Sequence, residues 1–127
     1  MSTQTRYLVD TCIFIELLRG KKEAKDWFLK HQNQIVVSVI TVAELYSGST
    51  TESKLEVLDH LLQTFQIIEL SGSMAKRIGR YRLKYGKSQG VGLADAAIAV
   101  CSEEAQAVLI THNLKHFPML ERIEKPY

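Results

Sequence analysis

Residues 6–15, Arg-Tyr-Leu-Val-Asp-Thr-Cys-Ile-Phe-Ile, confine the chain to a small set of folds. The apolar run Tyr7-Leu8-Val9 has the composition of a buried strand. Asp10 follows at once, and from Cys12 to Leu18 apolar residues recur at helical spacing. A strand that ends on an acid and turns straight into a helix presents that acid at the carboxyl edge of a sheet. In open α/β sheets that edge is where ligands bind.

The same alternation continues along the chain. Residues 6–10 read as a first strand and 11–18 as a helix that stops at Gly20. A second helix starts at Lys21-Lys22 and runs through Trp27, Phe28 and Leu29 to about His31. The β-branched run 34–37 reads as a second strand. Ser38 or Thr41 caps the helix that follows, which ends at Gly48. Ser53 with Glu56 has the form of a capping box, and Leu55, Leu58, Leu61 and Leu62 give the helix after it an apolar face. Residues 65–70 read as a third strand. Ser71 or Ser73 begins a long helix with an apolar face of Met74, Ala75, Ile78, Tyr81 and Leu83, and with its end at Gly86. The glycines of segment 86–92 mark a loop. Residues 93–105 form an alanine-rich, central helix, 107–111 a fourth strand and 112–118 a loop, with a short edge strand from Ile123. Strands alternating with helices imply the α/β class. The sheet is mainly parallel, with four to five strands and helices on both faces, and residues 1–127 form a single domain.

Composition narrows the function classes. Apolar residues are 46% and charged residues 24% of 127 residues, values that exclude disorder and coiled coil. A net charge of +2 permits a nucleic-acid partner without demanding one. Cys12 and Cys101 stand far apart in apolar settings with no Cys-x-x-Cys, so they read as reduced core thiols rather than zinc ligands. Residues 1–5 show no signal-peptide pattern and no apolar run reaches membrane length, so the expected location is the cytoplasm, with no membrane partner.

Three acids sit inside apolar runs: Asp10, Glu44 and Asp95. Each has a structural alternative. Asp10 is a natural N-cap, and Glu44 fits the wet face of an amphipathic helix. Asp95 is either near a first helical turn, favoured by the dipole, or buried and paired. Taken together, the three point to one metal site. Gathered carboxylates repel one another, and a divalent cation removes that penalty. A set without cysteines or a histidine pair suits a hard, oxygen-seeking ion, Mg²⁺ or Mn²⁺. After the last main strand Asn113 offers an amide oxygen to an ion or its water, or serves as a turn residue. Thr11 and Thr111 are candidates to orient carboxylates or hold hydrated ions. His112 and His116 read as surface or packing histidines.

Four motifs in order, Leu-Val-Asp10-Thr, Thr-Val-Ala-Glu44-Leu, Leu-Ala-Asp95-Ala-Ala-Ile-Ala and Thr111-His-Asn113-Leu-Lys-His116-Phe, resemble those of the PIN-domain ribonucleases. The likeness is to the VapC-like toxins of type II toxin–antitoxin systems and covers essentially the whole chain. It implies a PIN-like three-layer sandwich. It also implies one or two Mg²⁺ or Mn²⁺ ions held by Asp10, Glu44 and Asp95, with Asn113 and His116 where the family often has a fourth acid. The implied reaction is endonucleolytic hydrolysis of single-stranded or looped RNA, such as tRNA or rRNA, to a 5′-phosphate and a 3′-hydroxyl. A cognate VapB-like antitoxin would cover the acidic groove, and a toxin homodimer or a higher toxin–antitoxin assembly would form. The helices around 55–62 and 74–83 offer an apolar clamp for antitoxin or second subunit, or are simply core. Arg19, Lys21, Lys22, Lys84, Lys87 and Lys115 are candidate RNA-phosphate contacts. A phosphoacceptor receiver domain is disfavoured because strand one ends in a single acid and strand three ends in Glu69-Leu70-Ser71. A non-catalytic PIN-like module that binds RNA or protein is the alternative, and metal-dependent cleavage separates the two.

Overall fold

The computed structural model describes residues 4–127. Residues 1–3, part of the segment without a signal-peptide pattern, lie outside the described residues. In chain order the elements are β1 (Tyr7–Val9), α1 (Thr11–Leu18), α2 (Lys22–His31), β2 (Ile35–Ser38), α3 (Val39–Ser47), α4 (Glu52–Leu62), β3 (Gln66–Ile68), α5 (Gly72–Gln89), α6 (Leu93–Glu104), β4 (Val108–Ile110), a 3₁₀ turn (Leu114–His116) and β5 (Ile123–Glu124).

The five strands pair in the order β3-β2-β1-β4-β5, every pair parallel. From β1 the chain moves outward to β2 and β3, then crosses back to place β4 and β5 on the other side. The order therefore reverses between β1 and β4, which leaves a crevice beyond their carboxyl ends. Register there is set by Leu8 opposite Leu109 and Val9 opposite Ile110. The ladder extends one step further, with the Asp10 amide donating to the Ile110 carbonyl at 2.9 Å.

Strand side chains alternate between two apolar layers, which is why the strands read as unbroken hydrophobic runs. Leu8, Val36 and Leu109 face α5 and α6, packing with Met74, Ile78, Ile98 and Phe117. Val9, Val37 and Ile110 face the other way, onto Ile13 and Phe14 of α1, Phe28 of α2 and Leu58 and Leu62 of α4. Phe14 meets Phe28 edge-on at 5.1 Å and Phe65 at 5.8 Å. The α/β sandwich with helices on both faces is as expected. Of the two readings of the helices around 55–62 and 74–83, core is the one present: Leu58 and Leu62 of α4 and Met74 and Ile78 of α5 pack into opposite layers, so the two helices form no joint clamp.

Three local expectations are corrected. The cap of α4 is Thr51, whose hydroxyl accepts from the Lys54 amide; Ser53 already lies inside the helix. Helix α5 does not stop at Gly86 but runs on to Gln89, and Gly90, at φ 67°, closes it in the left-handed conformation. Ala75 and Leu83 are both exposed, Leu83 at 83%, and take no part in the apolar seam of α5, which Met74, Ile78 and Tyr81 form.

Candidate metal centre at the carboxyl edge of the sheet

Asp10 leaves β1 at the crevice and caps α1. Its Oδ1 accepts from the Thr11 amide at 2.8 Å, and its Oδ2 accepts from the Thr111 hydroxyl at 2.7 Å. Thr111 comes from the end of β4, so the two strands at the reversal point fix one carboxylate between them. The Thr111 oxygen in turn accepts the Asn113 amide at 3.0 Å, which orients its hydrogen toward Asp10. Cys12 Sγ, 3.6 Å from Asp10 Oδ2, adds a weak third donor. Asp10 is only 6% exposed. Burial pushes its carboxyl above the usual carboxylate range, against the hydrogen bonds from Thr111, Thr11 and Cys12, and the negative charge of Asp95 pushes it further the same way. This is a carboxylate kept ready but uncomfortable, the state that a cation relieves.

Asp95 is the third residue of α6, half-buried, with Oδ2 3.4 Å from the Gly92 amide, the reciprocal half of a capping box. Of the two alternatives for Asp95, the first-turn placement is the one present, since the side chain is only half-buried. His116 Nδ1 approaches Asp95 Oδ2 to 3.6 Å. The 3₁₀ turn thus brings the last motif onto the third acid. Glu44 projects from α3, and its Oε1 accepts from the Thr11 hydroxyl at 2.6 Å, while Thr11 Oγ1 also lies 3.0 Å from the buried Thr41 hydroxyl. Thr11 therefore ties the second acid to the residue after the first.

Among the described residues no three His, Cys, Asp or Glu side chains gather closely enough to chelate an ion by themselves. Each acid has its own partner: the Thr11 hydroxyl donates to Glu44, the Thr111 hydroxyl donates to Asp10, and His116 lies beside Asp95. The donor chemistry still fits a hard cation. Asp10 and Asp95 interact through their charges, every anchored donor is oxygen, and each carboxylate oxygen keeps acceptor capacity beyond the bonds it makes.

The other candidates are spread more widely. Asn113 is exposed beside Thr111, with its backbone rather than its amide engaged. Arg19 and Glu44 line one groove of about 390 Å³ between α1, α3 and α4. Lys21 is tied to Glu16 at 3.2 Å. Lys22 begins α2, Lys87 lies in the last turn of α5 and Lys115 in the 3₁₀ turn. His112 packs rather than dangling: its Nε2 is 2.9 Å from Glu16, and its ring meets Tyr127 edge-on at 5.0 Å. The roles of Thr41, Cys12 and the Glu16–His112–Tyr127 cluster are not legible in the local sequence. By sequence Thr41 is only a possible helix cap, a position that Ser38 takes.

Comparison with known proteins identifies the family and the fold. The PIN domain family model matches residues 7–122. Ribonuclease VapC10 of Mycobacterium tuberculosis is 33% identical over 123 residues, covering 94% of this chain and 92% of the relative. A toxin–antitoxin complex from Klebsiella pneumoniae contains a chain of 31% identity and TM-score 0.82, with coverage of 95% and 98%. The DNA-bound VapBC of Salmonella typhimurium, at 22% identity and TM-score 0.82, shares the fold. With a match that spans the crevice and both layers of helices, this chain belongs to the PIN domain family.

Proposed function

We propose that the chain is a Mg²⁺- or Mn²⁺-dependent endoribonuclease toxin that hydrolyses single-stranded or looped RNA and is held inactive by a cognate antitoxin. The single observation that carries this reading is the junction of β1 and β4, where Thr111 and Thr11 pin a buried Asp10 within reach of the charge of Asp95. The ribonuclease and toxin–antitoxin names of its relatives support the activity and the partner.

Asp10, Asp95 and Glu44 would hold the ion, with Asn113 completing the set or bonding its water. A bound Mg²⁺ or Mn²⁺ supplies Lewis-acid charge neutralisation and a nucleophilic water at neutral pH. The protein residues supply position. Thr111 and the Thr11 amide fix both oxygens of Asp10, so its carboxylate loses little rotamer freedom on engaging a ligand. Thr11 releases or retains Glu44 by a single hydroxyl hydrogen bond, so that acid can swing into place. His116, half-exposed beside Asp95, is placed to steady that carboxylate while a phosphate enters the crevice. Hydrolysis would leave a 5′-phosphate and a 3′-hydroxyl. The groove lined by Ile15, Leu18, Arg19, Glu44 and Val57 opens directly onto Glu44 and suits an antitoxin segment of mixed apolar and polar character. A toxin homodimer completes the proposal. Among the described residues no helix is long and apolar enough to cross a membrane.

The test is cleavage of a labelled panel of structured RNAs, including tRNAs, with Mg²⁺, Mn²⁺ or EDTA. The wild type should cut in metal alone, and D10N and D95N should lose at least about 100-fold while keeping the wild-type circular dichroism spectrum. Full activity in either variant, or cleavage in EDTA, refutes the assignment. Silence of the wild type on every RNA and metal, with RNA or antitoxin binding retained, moves the protein to the non-catalytic module.

A further inference from the structure

Helix α5 holds six of the chain's 16 lysines and arginines and none of its 14 acids, so the remainder of the chain is net acidic. The overall charge of +2 conceals this separation. One cation of α5 is spent inside the fold: Arg77 pairs with Glu103 at 2.8 Å and Glu104 at 3.1 Å, bridging to α6. A second, Arg82, lies along its own helix over Gly86. The other four, Lys76, Arg80, Lys84 and Lys87, follow one another at steps of four, four and three residues. They share one face over three turns, ~16 Å at the helical rise of about 1.5 Å per residue. That face is opposite the seam of Met74 and Ile78. All four are exposed, and among the described residues none of them has an ion pair.

A solvated helix of ordinary design interleaves acids at four-residue spacing to relieve such repulsion. Here the repulsion is left in place. The stripe also has a direction: it runs down α5 to Gly90, and the chain then turns directly into α6, whose third residue is Asp95. A second copy of the chain is a poor occupant, because a two-fold contact of this face would oppose like charges. An apolar partner would bury four cations that, among the described residues, have no carboxylate partner, only Lys84 having a ring, that of Tyr85 at 5.2 Å, beneath it. A polyanion neutralises the whole row.

We propose that the outer face of α5 is a phosphate-tracking surface, in which Lys76, Arg80, Lys84 and Lys87 hold the RNA backbone and lead a single strand to the acidic edge of the sheet. The proposal rests on the ribonuclease reading for the identity of the polyanion. It extends that reading to a binding path away from the acids themselves.

The experiment compares wild type, the quadruple variant K76Q/R80Q/K84Q/K87Q and the charge-keeping variant K76R/K84R/K87R, all as full chains. Affinity for a labelled single-stranded uridine oligomer is measured by fluorescence anisotropy in EDTA across a salt series, and cleavage is measured separately with Mn²⁺. The quadruple variant should bind at least about 10-fold more weakly at low salt. Its slope of log affinity against log salt should be flatter by ~0.7 for each phosphate that the stripe no longer neutralises. In cleavage, KM should rise while kcat at saturation holds within about 3-fold, and the charge-keeping variant should retain wild-type affinity. Unchanged affinity and slope in the quadruple variant overturn the proposal even if the wild type cleaves RNA, leaving the nuclease reading intact. Stripe-dependent binding by a wild type that never cleaves supports the surface and sinks the nuclease. A changed oligomeric mass of the quadruple variant in light scattering, with RNA affinity unaltered, assigns the face to self-association instead and overturns the proposal.

Discussion

Glu16 gathers three donors at the outer end of α1: the Tyr127 hydroxyl, His112 Nε2 at 2.9 Å and Lys21 Nζ at 3.2 Å. The Tyr127 hydrogen bond, with the smaller contributions of His112 and Lys21, holds its carboxyl down from 4.5 to about 2 despite some burial. A carboxyl whose folded value is depressed stabilises the fold above its unfolded value, and that contribution is lost as pH falls through the folded one. Glu16 therefore stabilises the protein above about pH 4.5 and loses that effect between about 4.5 and 2. In E16Q, chemical denaturation at pH 7 should show a loss of up to about 1 kcal/mol, since the site is partly exposed and screened. The difference between wild type and variant should vanish toward pH 2. A difference that stays constant across that window would show that Glu16 acts by packing alone. At this same scale the acids are legible in the sequence and their partners are not. Asp10, Glu44 and Asp95 announce themselves because an acid inside an apolar run needs a reason. Nothing local marks Thr41 as the neighbour of Thr11 or Tyr127 as the neighbour of Glu16, since those contacts span 30 and 111 residues.

Two glycines near the end of α5 separate propensity from conformation. Gly86 lies within the helix, and a Cβ there would meet the Arg82 side chain, closest at its guanidinium, the movable end of an exposed side chain. Gly90 has open space around it but sits at φ 67°, where an added side chain strains the backbone. G86A should thus gain up to ~1 kcal/mol from helix propensity, and G90A should lose about the same from the left-handed conformation. Thermal melts of the two variants should move in opposite directions by a few degrees. A loss in both, or a gain in both, would place the helix terminus elsewhere. The pair also explains why sequence alone puts the end of α5 too early. A glycine followed by polar residues has the pattern of a stop, and sequence does not distinguish a glycine the helix runs through from one whose dihedrals end it. The strands, by contrast, are recoverable from their short apolar runs, and the caps of α3 and α5 are narrowed to two candidates each, of which Ser38 and Ser71 are the ones used.

Across the whole molecule, the sheet order β3-β2-β1-β4-β5 assembles one edge from distant segments, so Asp10 and Thr111, 101 positions apart in the chain, bond only in the folded state. The alternation of strands and helices is enough to assign the class of fold. The reversal between β1 and β4 depends on long-range pairing that no local pattern encodes. The cost of that assembly falls on Asp10, whose burial and proximity to Asp95 disfavour its charged form. A carboxyl with a raised folded value destabilises the fold increasingly as pH rises past its unfolded value, so at neutral pH the neutral isostere should be the more stable protein. Asn fits because its oxygen can accept from the Thr11 amide while the Thr111 hydroxyl turns to accept from its amide group. In EDTA at neutral pH, D10N should melt higher than wild type. Millimolar Mn²⁺ should then reverse the order. An ion bound by the folded state alone stabilises it by mass action, ~2.7 kcal/mol at about a hundred times its dissociation constant, and D10N lacks the charge that holds it. The wild-type midpoint should climb with Mn²⁺ and that of D10N should stay flat. If D10N melts lower in EDTA, burial of the Asp10 charge is not the penalty described. If both proteins respond equally to Mn²⁺, the ion sits somewhere other than the carboxyl edge of β1.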